Sequence, residues 1–180
     1  MFFEEPLRPE HIPQWQRLRQ QMRVPLATGE SLFGRFEFLD LIARNAVDII
    51  QPDVCICGGL LEMRKIAAMA EAHYVSVAPH NPMGPISTAV NVHFAAATHN
   101  FTILEYYLPT DAAWENWVDE PYVPTDGYLD IRPDRPGLGI EVNLRGGRRI
   151  GGIAHAAKLQ DELPMVDGDG VKMPASAQGL

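Results

Sequence analysis

Five side chains in this sequence have the types and spacing to do chemistry together: Glu4, Glu30, Asp53, His80 and Glu105. Each closes a short apolar run: FFE, VPLATGE, VDIIQPD, VSVAPH and FTILE. Two carboxylates converging from neighbouring runs, Glu4 and Glu30, offer hard oxygen ligands of the kind that suit Mg²⁺, which keeps waters and accepts substrate oxygens. Asp53 and His80 end the next two runs. A carboxylate beside an imidazole fixes its tautomer and raises its basicity, which makes a general base. Glu105 adds an acid or a hydrogen-bond donor.

The elements that must position these groups follow from their period. The five end residues recur at steps of 23 to 27, and a strand, a helix and two loops take about 25–30 residues, so the unit is βα. Between the runs, Leu39, Ile42, Ala43 and Ala46 follow helical spacing, as do Met63, Ile66, Ala67 and Ala70. Ile12, Trp15, Leu18 and Met22 make a looser stripe, and Pro85 stands where the first turn of a helix tolerates proline. The strands are nearly continuous apolar runs, as parallel strands covered on both faces should be. An open doubly wound sheet would gather its ligand residues at one switch point. Polar residues at the C-terminal end of every strand favour the (β/α)8 barrel instead. The fold class expected is therefore α/β. A full barrel takes eight units and about 250 residues, so the five strands and four helices counted here correspond to the C-terminal half, strands four to eight.

After Tyr107 the pattern changes. YVPTDGYLDI predicts a hairpin around Asp126-Gly127, followed by a proline-broken stretch and the short strand GLGIEV. Trp114 and Trp117 are expected to pack this segment over the barrel. From Leu144 onward no period is sustained, and a loosely ordered tail is expected. The division is thus 1–107 for the partial barrel, 108–143 for a post-barrel segment and 144–180 for the tail.

Composition narrows the partners. The net charge of -8 and a pI near 5.2 argue against nucleic acid or an anionic membrane surface. No apolar run approaches the roughly 18 residues of a membrane helix, and the N-terminus lacks a signal peptide's basic start and cleavage site. Cys55 and Cys57, one residue apart, are poorly spaced for a disulfide and read as two buried thiols in a reducing cytoplasm. Cys57-Gly58-Gly59 reads as a turn rather than a phosphate cradle, and PGLGIE lacks the glycine spacing of a dinucleotide fingerprint. His11, His73, His93, His99 and His155 fall off the strand ends and read as surface or packing residues.

FFEEP, TGES, QPD followed by CGG, APHNPMGP and ILEYY together resemble the C-terminal barrel of the enolase superfamily. The resemblance is to its mandelate racemase group and, within that, to the galactonate dehydratase-like acid-sugar dehydratases; it covers roughly residues 1–143. It implies that Glu4 and Glu30 match the metal ligands of the fourth and fifth strands. Asp53 and His80 match the Asp–His dyad, Glu105 matches the glutamate ending the eighth strand, and Glu5 supports the site. The implied reaction removes the proton α to a carboxylate, with Mg²⁺ holding the enediolate, and expels the β-hydroxyl as water to give a 2-keto-3-deoxy acid. The family's third metal ligand, a second acid or base and the N-terminal capping domain belong to parts that precede the fourth strand, so this chain is expected to be inactive alone. A homo-oligomer is expected of the complete protein, with a small sugar acid as substrate. The alternatives are a racemase or cycloisomerase on the same scaffold and, in another class, a non-catalytic half-barrel that associates through its open strand edge.

Overall fold

The computed structural model describes residues 1–107 and 117–143. Four βα units follow one another: β1 (Phe3–Glu4), α1 (Ile12–Gln21), β2 (Leu26–Thr28), α2 (Gly34–Ala43), β3 (Ile49–Ile50), α3 (Leu60–Ala72), β4 (Ser76–Val77) and α4 (Pro85–Ala96). All strands are parallel and lie in the order β1-β2-β3-β4, with Phe3 opposite Leu26, Ala27 opposite Ile49, and Ile49 opposite Ser76. Sequence order equals spatial order, as in successive units of a barrel wall.

Strand alternation sorts the core into two faces. Leu26, Ile50 and Val77 point outward and join Trp15, Phe38, Leu41, Met63, Ile66 and Phe94 in the main cluster between sheet and helices. Ala27, Ile49 and Ala78 form the other face, with Phe2 packed against them.

The helices match their expected spacing unevenly. In α3, Met63, Ile66, Ala67 and Ala70 are all buried, and Pro85 opens α4. In α2 the buried face is Phe38, Leu41 and Ile42, whereas Leu39 and Ala43 are exposed. The helix is rotated so that the Phe38 ring fills the space against Gly29, where an added Cβ would stand 2.7 Å from Phe38 Cε1.

The expected fifth strand is reduced to one parallel bridge between Val77 and Phe101. Val77 donates to the Asn100 carbonyl and accepts from Thr102 N–H, each at 2.8 Å. The next rung would need an N–H from residue 79, which is Pro79, so the ladder stops there. FTILE continues extended rather than as a paired strand, and Glu105 N–H reaches the Pro79 carbonyl only at 3.4 Å.

In the segment after the units, Thr125 and Tyr128 bridge around Asp126 and Gly127, whose φ values are 51° and 84°. That is the turn the Asp-Gly pair predicts. GLGIEV contributes one antiparallel bridge, Val118 to Val142. The residue seating this segment on α4 is Tyr122, clustered with Ala89 and Val92. Trp117 is half-buried and accepts the Asn143 N–H at 2.8 Å, while Trp114 and the expected tail 144–180, with His155, lie outside the described residues. Among the described residues no helix is long and apolar enough to cross a membrane.

Candidate active site

Only Glu4 of the five chemistry-bearing residues stands inside its strand; Glu30, Asp53 and His80 follow β2, β3 and β4 on the loops that leave the sheet at its C-terminal end. Asp53 and His80 nevertheless face each other as an isolated parallel bridge, so the register persists beyond the ladder. His80 Nδ1 lies 2.8 Å from Asp53 Oδ2. Asp53 is 1% exposed, and its other oxygen accepts the Cys55 N–H at 2.7 Å. The far side of the imidazole is open to the mouth: Nε2 is 3.3 Å from Glu30 Oε2 and 3.9 Å from Glu105 Oε2. The structure therefore brings Asp53, His80, Glu30 and Glu105 to one place. Glu4 lines a neighbouring cavity of about 180 Å³ together with Phe2, Gln51, Ala78 and Glu105.

The electrostatics are those of crowded acids around one base. Burial raises the pKa of Glu30; nearby His80 opposes that, while the charges of Glu5, Glu4 and Glu105 reinforce it. Burial alone would lower His80, but its hydrogen bond to Asp53 and the charges of Glu105, Glu30 and Asp53 outweigh this, and its pKa is raised. Such an imidazole, anchored at Nδ1 by the Asp53 carboxylate and facing the Glu30 and Glu105 carboxylates at Nε2, can take a proton at Nε2.

Glu5 supports the site from below. It adopts a positive φ of 41°, accepts the Thr28 hydroxyl proton on Oε1, and lies 3.4 Å from Gly29 N–H. It thereby holds the Thr28-Gly29-Glu30 corner. Gly29 is required at that corner: its φ is 138° and a Cβ would also come within 3.1 Å of Gln51 N.

Two residues without a role in the sequence reading join the site. Gln51 is 3% exposed, shares the inward face with Ile49, and its Oε1 is buried without a hydrogen-bond partner among the described residues. Its parity with Ile49 was the available signal. Asn81, beside His80, is fully buried and donates its N–H to Glu105 Oε2 at 2.8 Å. The two thiols differ from expectation: Cys57 is buried, with its pKa pushed up to about 12 by burial and then by Asp53, but Cys55 is exposed, since the turn closed by Asp53 faces its side chain outward. Gly58-Gly59 is a turn opening α3. His73 caps α3, His99 is exposed, and His93 Nε2 is buried with no partner among the described residues.

A hard cation fits this donor set in part. Glu4, Glu5, Glu30, Glu105 and Asp53 bring negative charge around a single titratable cation, His80, and the orphaned Gln51 oxygen faces the same interior. Yet among the described residues no three His, Cys, Asp or Glu side chains stand as a ready metal cage. The fit is that of an ion held by one or two carboxylates and completed by water or substrate oxygens, a mode Mg²⁺ tolerates.

Parallel βα units with carboxylates and an Asp–His pair over the strand ends define a barrel-type α/β domain whose site lies on its C-terminal face. The chain belongs to the enolase C-terminal domain-like family, which it matches over residues 1–146. It is 40% identical over 148 residues to a D-galactonate dehydratase from Verminephrobacter eiseniae, covering 79% of this chain and 39% of that protein. It is 37% identical over 143 residues to a D-xylonate dehydratase from Haloferax volcanii, covering 79% of this chain and 34% of the relative. A solved structure from Agrobacterium radiobacter, an enolase assigned as a galactarate dehydratase and bound to sodium and L-malate, superimposes with a TM-score of 0.78 at 52% identity, over 82% of this chain and 41% of that one. The chain thus spans well under half the length of each of these relatives.

Proposed function

We propose that this chain supplies strands four to eight of an acid-sugar dehydratase barrel, with His80 as the base that removes the proton α to a substrate carboxylate. The observation that carries the reading is the pair at 2.8 Å, His80 Nδ1 to Asp53 Oδ2, with Nε2 turned toward Glu30 and Glu105. Asp53 holds the imidazole with Nδ1 protonated, which leaves the Nε2 lone pair to accept the α-proton. The electron pair of the broken C–H bond passes into the carboxylate as an enediolate, and its return expels the β-hydroxyl, which departs as water with a proton from the second acid–base group that the complete barrel supplies. The resulting enol becomes a 2-keto-3-deoxy acid. Glu105, at the same face of the imidazole, hydrogen-bonds the reacting end of the substrate. Glu4 and Glu30 would hold Mg²⁺, which when bound supplies positive charge for the substrate carboxylate.

The chain's share of its relatives favours a site completed by segments outside it, and an isolated chain that is inactive. The experiment is therefore done twice, on the chain alone and on the chain within a complete barrel. D-galactonate, D-xylonate and galactarate are supplied in deuterium oxide, and α-deuteration and 2-keto-3-deoxy products are followed by NMR. In the complete barrel His80→Asn abolishes both signals. An inverted α-carbon without loss of water identifies a racemase on the same scaffold and overturns the dehydratase reading.

A second reading is favoured by β1, which pairs with β2 alone among the described strands while Phe3 is 49% exposed. A strand edge of this kind recruits another strand, and the chain then acts as an assembling half-barrel without catalysis. Sedimentation decides it: a stable monomer removes this reading, and a dimer supports it.

A further inference from the structure

Asn81 sits between His80 and the turn into α4, and its side chain is the hub of a buried polar cluster. Its Oδ1 accepts the Ser87 hydroxyl proton at 2.8 Å and the Asn91 amide at 2.9 Å. Its Nδ2 donates to Thr88 Oγ1 and to the Glu105 carbonyl, both at 3.0 Å. Thr88 passes its own proton on to the Gly84 carbonyl at 3.0 Å. Both acceptor and both donor positions of the Asn81 amide are therefore filled, which fixes which end is oxygen and which is nitrogen. Asn81, Thr88 and Asn91 are completely buried and Ser87 is nearly so.

Burying three polar side chains on one face of α4 around Asn81 gives no packing advantage over an apolar face, and Asn91 Oδ1 is left without a hydrogen-bond partner among the described residues. What this cluster holds is Glu105. Asn81 grips that residue twice, by its main-chain N–H on the carboxylate Oε2 at 2.8 Å and by its side chain on the main-chain carbonyl. Glu105 has little else to fix it: its side chain is 42% exposed, its N–H reaches the Pro79 carbonyl only at 3.4 Å, and among the described residues its extended segment is bridged only at Phe101. The gripped oxygen, Oε2, is the same atom that stands 3.9 Å from His80 Nε2. Asn81 is also the residue next to His80, so one rigid hub sets both partners.

We propose that Asn81 is a positioning residue: its hub, anchored to Ser87, Thr88 and Asn91 of α4, locks the Glu105 carboxylate at a set distance and direction from His80 Nε2. The proposal deepens the proposed function, and it rests on that reading only for the rate it affects; the placement itself is testable without catalysis.

The test uses the full chain, ¹³C-labelled at glutamate carboxyls and ¹⁵N-labelled throughout, at one fixed pH. Asn81→Asp keeps the size of the side chain but deletes both Nδ2 donors. It is expected to shift the Glu105 carboxyl signal, the residue-81 amide signal and the His80 Nε2 signal together. Ser87→Ala removes a bond to the hub's far side without touching Glu105, so it is expected to lower the melting temperature and leave the Glu105 and His80 signals in place. A drop in melting temperature in Asn81→Asp with those signals unmoved overturns the proposal and leaves Asn81 a core residue. If Asn81→Asp does not fold, Asn81→Ser, which also removes both Nδ2 donors and with them the bond to the Glu105 carbonyl, decides in the same way. In the complete barrel, Asn81→Asp is expected to slow α-proton exchange by about 10²-fold, the cost of a misplaced group of roughly 1 Å, with KM little changed. In a Glu105→Ala background Asn81→Asp is expected to cause no further slowing; full additivity refutes action through Glu105. Should the complete barrel show no α-exchange at all, the dehydratase reading fails while the labelled-carboxyl result still judges the placement.

Discussion

Asp53→Asn isolates what the buried carboxylate does for His80, because the two oxygens of Asp53 have partners of unequal freedom. Oδ1 accepts the Cys55 main-chain N–H at 2.7 Å, a donor that cannot be reversed. An asparagine must therefore keep its oxygen there and turn its amide nitrogen toward His80 Nδ1, 2.8 Å away in the native pair. Two donors cannot face each other at that distance, so the imidazole moves its proton to Nε2 and accepts at Nδ1. Nε2, now protonated, points at Glu30 and Glu105 and can no longer receive an α-proton. Loss of the base costs about 10²–10⁴-fold, and the wrong-tautomer penalty in a Ser-His-Asp triad is about 10⁴-fold. Exchange in the complete barrel should fall within that range.

The same substitution has a stability signature that needs no substrate. Exchanging a charged hydrogen bond, worth about 1.5–3 kcal/mol, for a neutral one of about 0.5–1.5 kcal/mol costs roughly 1 kcal/mol. Its pH dependence has a definite sign. The folded pKa of His80 is raised, because the Asp53 hydrogen bond and the charges of Glu105, Glu30 and Asp53 overcome burial, which acts the other way. A raised imidazole contributes stability that is fully present below the unfolded value of about 6.5 and is lost as pH rises through the folded pKa. Unfolding of the parent chain and Asp53→Asn by urea should therefore differ most near pH 5.5 and by a smaller amount well above neutrality, where only the roughly 1 kcal/mol of the exchanged hydrogen bond remains. Long-range ¹H–¹⁵N spectra of the imidazole read the tautomer directly. A variant that keeps Nδ1–H, or a stability gap equal at both pH values, refutes the reasoning.

Mg²⁺ binding by the chain is expected to be weak and to weaken further in Glu30→Gln, because a donor set of two carboxylates loses one; tight calorimetric binding that survives the substitution removes Glu30 from the site. Gly29→Ala should lower stability by about 1–3 kcal/mol in denaturant titration, since φ is 138° and the new Cβ meets Phe38 at 2.7 Å. A neutral effect there means that the Phe38 ring yields freely. Acid should loosen residues 117–143 before the βα units. Asp119 accepts the Glu141 N–H and pairs with Arg135, which hold its pKa at about 2, so its contribution is present above 3.8 and lost as pH falls toward 2. Trp117 fluorescence followed through that range checks it.

Much of the architecture was legible because it rests on period and on proline. Runs ending every 23 to 27 residues give the βα unit, Met63, Ile66, Ala67 and Ala70 give the buried face of α3, and Asp126-Gly127 gives the turn. The misreadings have local causes. Leu39 and Ala43 obey helical spacing yet are exposed, because the orientation of α2 is decided by the cavity over Gly29, a tertiary feature no periodicity contains. FTILE has the composition of a strand, but the rung beyond Phe101 requires an N–H that Pro79 lacks; that signal was in the sequence, one strand away from where it acts. Asn81 carries no such signal, because an asparagine between histidine and proline has the pattern of turn chemistry. Its partners Ser87, Thr88 and Asn91 lie on one face of α4, and a polar face on a helix is ordinarily taken for the solvent side.

The ladder ends before the site begins, and something other than the sheet must carry geometry across that gap. In each case the holder belongs to the preceding βα unit. Glu5, after β1, fixes the Thr28-Gly29 corner that presents Glu30. Asp53, after β3, fixes His80 after β4. Asn81, after β4, fixes Glu105 on the extension beyond Phe101. Between the second and third units the same service comes from close approach, with Gly29 bare so that Phe38 and the Gln51 main chain can close on it. Supports arranged this way couple neighbours in chain order. Pairs such as Glu5 with Glu30, Asp53 with His80, and Asn81 with Glu105 should therefore be non-additive in double-mutant cycles, whereas Glu5 with Asn81, which share no partner, should add.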